Sequence, residues 1–260
     1  MNQIDRNELE FRYKRILSLI DLTTLEGTDH PGRIDQLCQK ALAIKRVCGT
    51  GPAAVCVYPV FVKQACAILA GSGIRVAAVA GAFPSGQSPL HLRKAEVEFA
   101  VAEGADEIDM VISRGRFLAG DLNFLTEEVE TLKKACGNSH LKVILETGEL
   151  LEADKIRLAS ELSIKAGADF IKTSTGKVQP AATLDAMSVM LDVIRDHYAS
   201  AAKMIGIKPA GGISTPQQAL EYYALVEEKV GKDWLSPEYF RIGASRLTDG
   251  ILSELGLSLA

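Results

Sequence analysis

The chain has 260 residues, 47% hydrophobic and 24% charged, with a formal net charge of −4. That length allows one large domain or two small ones, and 22 Gly and 9 Pro without a low-complexity run exclude collagen-like and disordered classes. With 29 Lys and Arg against 33 Asp and Glu, the chain lacks the basic footprint of a protein bound to nucleic acid or a membrane surface.

Met1 to Lys14 is charged throughout, which predicts no targeting segment, and Met1–Arg15 reads as an extra helix before the first strand. Apolar runs then predict eight strands: Leu17–Leu22, Ala54–Tyr58, Arg75–Ala80, Glu107–Ile112, Lys142–Glu146, Phe170–Ser174, Met204–Lys208 and Phe240–Gly243. Most are nearly continuous Val, Ile and Ala, the composition of parallel strands covered on both faces. Helical spacing lies between them. Leu92, Ala95, Phe99 and Ala102 mark one apolar face, and Leu184, Met187, Leu191, Ile194 and Tyr198 another. Ser88-Pro89 reads as a capping hydroxyl before a first-turn proline, and Thr215-Pro216-Gln217-Gln218 as a capping box. Val47–Val62, the longest charge-free stretch near the middle, is broken by Gly49, Gly51, Pro52 and Pro59, so no membrane span is expected. Five scattered cysteines, an odd number, fit a reducing cytoplasm better than a disulfide framework.

Eight strands each followed by a helix predict a single (β/α)8 TIM barrel over residues 1–260. An open doubly wound sheet competes, but Gly49-Thr50-Gly51 precedes a strand and lacks the third glycine of a dinucleotide fingerprint. Gly176-Lys177 likewise lacks the flanking residues of a P-loop.

In such a barrel the chemistry sits at the C-terminal strand ends. Of the polar residues on the predicted strands, Asp21, Glu146 and Lys208 stand at such ends, Cys56 and Lys172 lie within their strands, and Glu107 and Asp109 share one face of the fourth. Two lysines on strands are unusual, because a buried ammonium is costly unless paired. Lys172 is either a structural ion-pair partner or an amine nucleophile that forms a Schiff base. The second role needs a pKa lowered by burial and a nearby cation, which Lys208 supplies one strand–helix repeat later. Asp109 is the expected proton-transfer group, with Glu107 as rival and simple charge neutralisation as the bland alternative. Glycines follow the last two strands at Gly211-Gly212 and Gly243, with Ser214, Ser245, Lys177 and Arg246 nearby. That is the recurrent position of a barrel phosphate site, although each glycine pair also suits a tight turn. The four histidines stand apart, so no metal and no cofactor is expected.

Ile20-Asp21-Leu22-Thr23-Thr24-Leu25, Ala54-Val55-Cys56-Val57-Tyr58-Pro59, Ala105 to Val111, Phe170 to Lys177, Gly206 to Gly212 and Arg241 to Ser245 together resemble the deoxyribose-phosphate aldolase family, in order, from Asp21 to Ser245. The resemblance implies a class I aldolase that cleaves 2-deoxy-D-ribose 5-phosphate to D-glyceraldehyde 3-phosphate and acetaldehyde, in deoxyribonucleoside catabolism. It implies Lys172 as the Schiff-base lysine, Lys208 as the cation that tunes it and Asp109 as the acid–base. It also implies Asp21, Thr23, Cys56 and Thr175 at the substrate, and Gly176, Lys177, Gly211, Gly212, Ser214, Gly243, Ser245 and Arg246 at the phosphate. The partners implied are small molecules, with a homodimer left open. Ser214 stands where some members carry Arg, Arg246 where those carry Ser, and the chain ends without their terminal Tyr. Two rivals remain on the same scaffold: another phosphate-binding aldolase or isomerase, and a non-catalytic sugar-phosphate sensor.

Overall fold

The computed structural model describes residues 6–259; Met1 to Asp5, part of the expected first helix, lie outside the described residues. The chain alternates as α1 (Arg6–Leu17), β1 (Ile20–Thr23), α2 (Pro31–Cys48), β2 (Ala54–Val57), α3 (Val62–Leu69), β3 (Arg75–Ala80), α4 (Leu90–Ala102) and β4 (Glu107–Val111). It continues as α5 (Arg114–Leu118), α6 (Leu122–Cys136), β5 (His140–Ile144), α7 (Thr147–Leu150), α8 (Ala153–Lys165) and β6 (Phe170–Lys172). The last elements are α9 (Leu184–Ala201), β7 (Gly206–Lys208), α10 (Pro216–Val230), β8 (Ile242–Ala244) and α11 (Leu247–Glu254). All eight strands run parallel in the order β7-β6-β5-β4-β3-β2-β1-β8. Parallel bridges Ile207–Phe240 and Ala210–Gly243 join the two ends. The sheet therefore closes into the (β/α)8 barrel expected from the sequence.

Strand side chains alternate between the barrel interior and the surrounding helices. The outward set, with residues such as Val55, Val57, Ala78, Ile108, Val143, Ile171 and Ile207, forms the main core against the helices. Inside, Leu25, Ala54, Cys56, Ala77 and Val79 form a separate small cluster. Small residues on β2 and β3 leave room for long ones: Lys142, Lys172, Lys208 and Arg241 are all buried. No described helix is long and apolar enough to cross a membrane.

Several local expectations need correcting. Leu17 ends α1 instead of opening β1, because the helical segment runs on to it. β5 and β6 stop at Ile144 and Lys172, so Glu146 lies beyond its strand with a left-handed backbone, φ 56°, and Lys172 is the final strand residue. β7 starts at Gly206, where a Cβ would collide with the Phe170 ring. Ser88 does not cap α4; Pro89 occupies the cap position and no side chain bonds there. The inner face of α4 is Arg93, Val97 and Ala100, whereas Leu92 and Phe99 are 55% and 46% exposed. The apolar spacing misled because the core accepts a cation here: Arg93 meets Glu128 at 2.5 Å and donates to the Gly81 and Val111 carbonyls. Such a pair is tolerated only fully bonded, since a lone buried charge costs about 3–5 kcal/mol. The capping box at Thr215 and Gln218 forms as expected.

Candidate active site

A cavity of about 320 Å3 opens at the C-terminal strand ends, with Lys172 in its lining. Strand register brings the charged residues together beneath it. Lys172 pairs with Lys208 across β6 and β7, and Asp109 with Lys142 across β4 and β5. Asp109 Oδ2 accepts from Lys172 Nζ at 2.7 Å and from Lys208 Nζ at 2.7 Å, while Oδ1 accepts from Lys142 Nζ at 2.9 Å. Lys208 also donates to Asp21 Oδ2 at 2.5 Å, and Arg241 donates to Asp21 Oδ1 at 2.7 Å. Deeper still, Arg241 grips both oxygens of Glu107 at 2.6 and 3.0 Å, with Lys142 and Arg75 on the same carboxylate. Glu107, the rival acid, is therefore held at the far layer and makes no contact with Lys172. Asp109 is the carboxylate within reach of the amine.

Four buried cations, Lys142, Lys172, Lys208 and Arg241, face three buried carboxylates, Asp21, Glu107 and Asp109. A neutral Lys172 removes the surplus charge. Burial drives the Lys172 amine below its ordinary range and Lys208 adds to this, with Asp109 opposing. Burial works against Lys208 too, but Asp109 and Asp21 overcome it and raise its pKa, so Lys208 keeps its proton. Burial would raise Asp109, yet the three lysines hold it well below the usual carboxylate range. The two neighbouring amines are thus pushed in opposite directions, Lys172 toward easier loss of its proton and Lys208 toward keeping it. In Lys208→Met that cation is gone, so the pKa of Lys172 rises and any rate that needs the free amine climbs only at higher pH. A pH profile of kcat/KM checks this; an unshifted profile would mean that Lys208 only orients its neighbours.

The expected substrate residues divide into two sets. Thr23 and Thr175 line the cavity, whereas Asp21 and Cys56 are fully buried and do not. Asp21 is consumed by Lys208 and Arg241, and Cys56 packs in the small apolar cluster. Burial pushes the Cys56 thiol up, which makes it a poor nucleophile. Thr175 is fixed by Glu146, which accepts its N–H at 3.1 Å and its hydroxyl proton, and Thr175 Oγ1 accepts the Lys177 N–H at 3.1 Å. Gly176, Lys177, Gly211, Gly212, Ser214, Gly243, Ser245 and Arg246 all line the same cavity. Gly211 has φ 82°, and a Cβ there would lie 2.7 Å from that of Ala181. At Gly211 the wall is bare backbone because a side chain does not fit, and at Gly212 space is open but the backbone, φ 82°, disfavours one. The Ser214 N–H is already taken by Gln218 Oε1 at 3.0 Å, so it is not free for an anion in the cavity.

The sequence alone leaves Lys142 and Arg241 out of the site, and marks Glu146 only as a strand-end carboxylate without a role. The first two carry the sign that marked Lys172, a long cation inside a buried strand run, or beside one. The position of Glu146 was legible, but its partner was not, since Thr175 lies on the loop after another strand.

The chain belongs to the DeoC/LacD family of aldolases, whose model matches residues 15–229. It is similar to human deoxyribose-phosphate aldolase, with 45% identity over 249 residues, 91% of this chain and 78% of that one. The solved structure "QR15, an Aldolase" superposes with TM-score 0.74 at 28% identity, over 92% of this chain and 97% of that one. A deoxyribose phosphate aldolase from Aeropyrum pernix, described as having a unique tetrameric structure, shares the fold at TM-score 0.72 and 22% identity, over 98% of this chain and 99% of that one.

Proposed function

We propose that the chain is a single-domain class I aldolase that cleaves 2-deoxy-D-ribose 5-phosphate to D-glyceraldehyde 3-phosphate and acetaldehyde. The observation that carries this is Lys172, the cluster lysine that lines the cavity, with Asp109 at 2.7 Å and Lys208 beside it. The neutral amine adds to the aldehyde carbon of the open-chain sugar, and loss of water leaves a protonated imine. Breaking C2–C3 sends its electron pair into that imine, giving an enamine, while the C3 hydroxyl proton leaves to a base and C3 becomes the aldehyde of the released triose phosphate. Asp109 is placed to pass protons, and protonation of the enamine carbon followed by hydrolysis frees acetaldehyde and the amine. The activity suits deoxyribonucleoside breakdown in the cytoplasm.

Borohydride with acetaldehyde tests the reading. Mass spectrometry should find one added ethyl group, on Lys172. An isomerase or a sensor would give no adduct, and an adduct on Lys208 or Lys177 would reassign the nucleophile.

Arg246 caps α11 at the cavity and is exposed. A guanidinium there can grip phosphate oxygens two at a time. Arg246→Ala should weaken the phosphorylated sugar by roughly 1.5–3 kcal/mol, the worth of a charge-assisted bond. Comparing kcat/KM for 2-deoxyribose 5-phosphate and 2-deoxyribose decides it. Equal losses on both sugars would leave the phosphate to Lys177, Ser245 and backbone amides.

A further inference from the structure

Lys177 does not wait at the cavity mouth as a free cation. Its Nζ lies 3.1 Å from Oε1 of Glu26, which stands on the loop after β1, and both residues line the cavity. That loop is built to hold Glu26 there. The Asp29 carboxylate accepts the Thr24 hydroxyl at 2.8 Å and the Glu26 N–H at 3.0 Å, and the Tyr58 hydroxyl donates to the Leu25 carbonyl at 3.3 Å. The pair links the loops after β1 and β6. Arg246 pairs with no carboxylate among the described residues. A phosphate entering the cavity therefore meets one open cation, one neutralised cation and one anion.

We propose that Glu26 sets how strongly this site prefers phosphorylated over unphosphorylated substrate, by holding Lys177 in an ion pair that the phosphate must displace. The inference rests on the aldolase reading above and concerns the phosphate end of the same site. Glu26 acts in two ways. It occupies Lys177 in the empty site, and its carboxylate repels the dianion that approaches the same ammonium. The side chains are 63% and 31% exposed, so the pair is weak and solvent-screened. Displacement is easy, and its expected effect is several-fold.

Glu26→Gln removes the charge and keeps the shape. KM for 2-deoxyribose 5-phosphate and the inhibition constant of inorganic phosphate should both fall about two- to fivefold. The ratio of kcat/KM for the phosphorylated over the plain sugar should rise with them. In a Lys177→Met background the same substitution should act more weakly, since no pair is left to release. Protection against heat by inorganic phosphate is read in parallel because it needs no turnover. If the wild-type protein proves inactive yet phosphate protects Glu26→Gln more strongly, the aldolase reading falls and the gating pair stands. Unchanged or weaker phosphate binding in Glu26→Gln overturns the proposal, weaker binding meaning that Glu26 orients Lys177 for the anion. Equal gains on both sugars overturn it as well.

Discussion

Lys172→Ala should abolish cleavage and borohydride trapping while the protein stays folded. No neighbouring lysine can take over the role proposed for Lys172. Lys208 is locked between Asp21 and Asp109 with its proton held, and Lys142 lies between Asp109 and Glu107, with burial outweighed there too and its pKa raised. Neither offers a free amine to the cavity. Folding should survive because Asp109 keeps two lysine partners and the buried cluster is left with three cations and three carboxylates. Removing a buried amine that burial already penalises in its charged form relieves a desolvation cost, and no carboxylate is orphaned. Circular dichroism, a melting curve and a cleavage assay check both halves. Residual cleavage with acetaldehyde still trapped on another lysine would overturn the assignment of Lys172.

Asp109→Asn should lower kcat by about 10²–10⁴, the usual worth of a positioned acid–base, with a smaller change in KM. The amide keeps the size of the carboxylate but cannot take a proton from substrate or water. It also removes the anion that opposes the lowering of Lys172, so the Lys172 pKa falls further. The sign is opposite to that in Lys208→Met: the acid limb of the profile moves to lower pH while the plateau collapses. Imine formation needs only the free amine, so acetaldehyde should still be trapped on Lys172. Lost trapping would place Asp109 in imine formation itself. If Glu107→Gln, which touches Arg241, Arg75 and Lys142 but not Lys172, produced the kcat loss instead, the acid–base would be the deeper carboxylate.

The barrel, and most of the residues that it gathers at the candidate site, are legible in the sequence. Runs of Val, Ile and Ala declare buried parallel strands, because every residue there contacts either the interior or a helix. Lys172, Lys208 and Asp109 stand out in those runs because an unpaired charge in such a strand is unaffordable. Capping at Thr215 and Gln218 was legible for the same local reason: both partners lie within one turn. Which charge meets which is settled only by the packing of strand against strand. Asp109 rather than Glu107 reaches Lys172, since a two-residue step along β4 moves a side chain one layer through the barrel, and register across β5, β6 and β7 sets the partners in each layer. The buried face of α4 also escaped local reading, because Arg93 enters the core only with Glu128 supplied by α6. Glu146 on Thr175, and Glu26 on Lys177, join loops that are distant in sequence and adjacent only once the barrel closes. Periodicity reports what a residue's own strand or helix buries; a charge's partner is fixed by the neighbouring element, and that appears only in the fold.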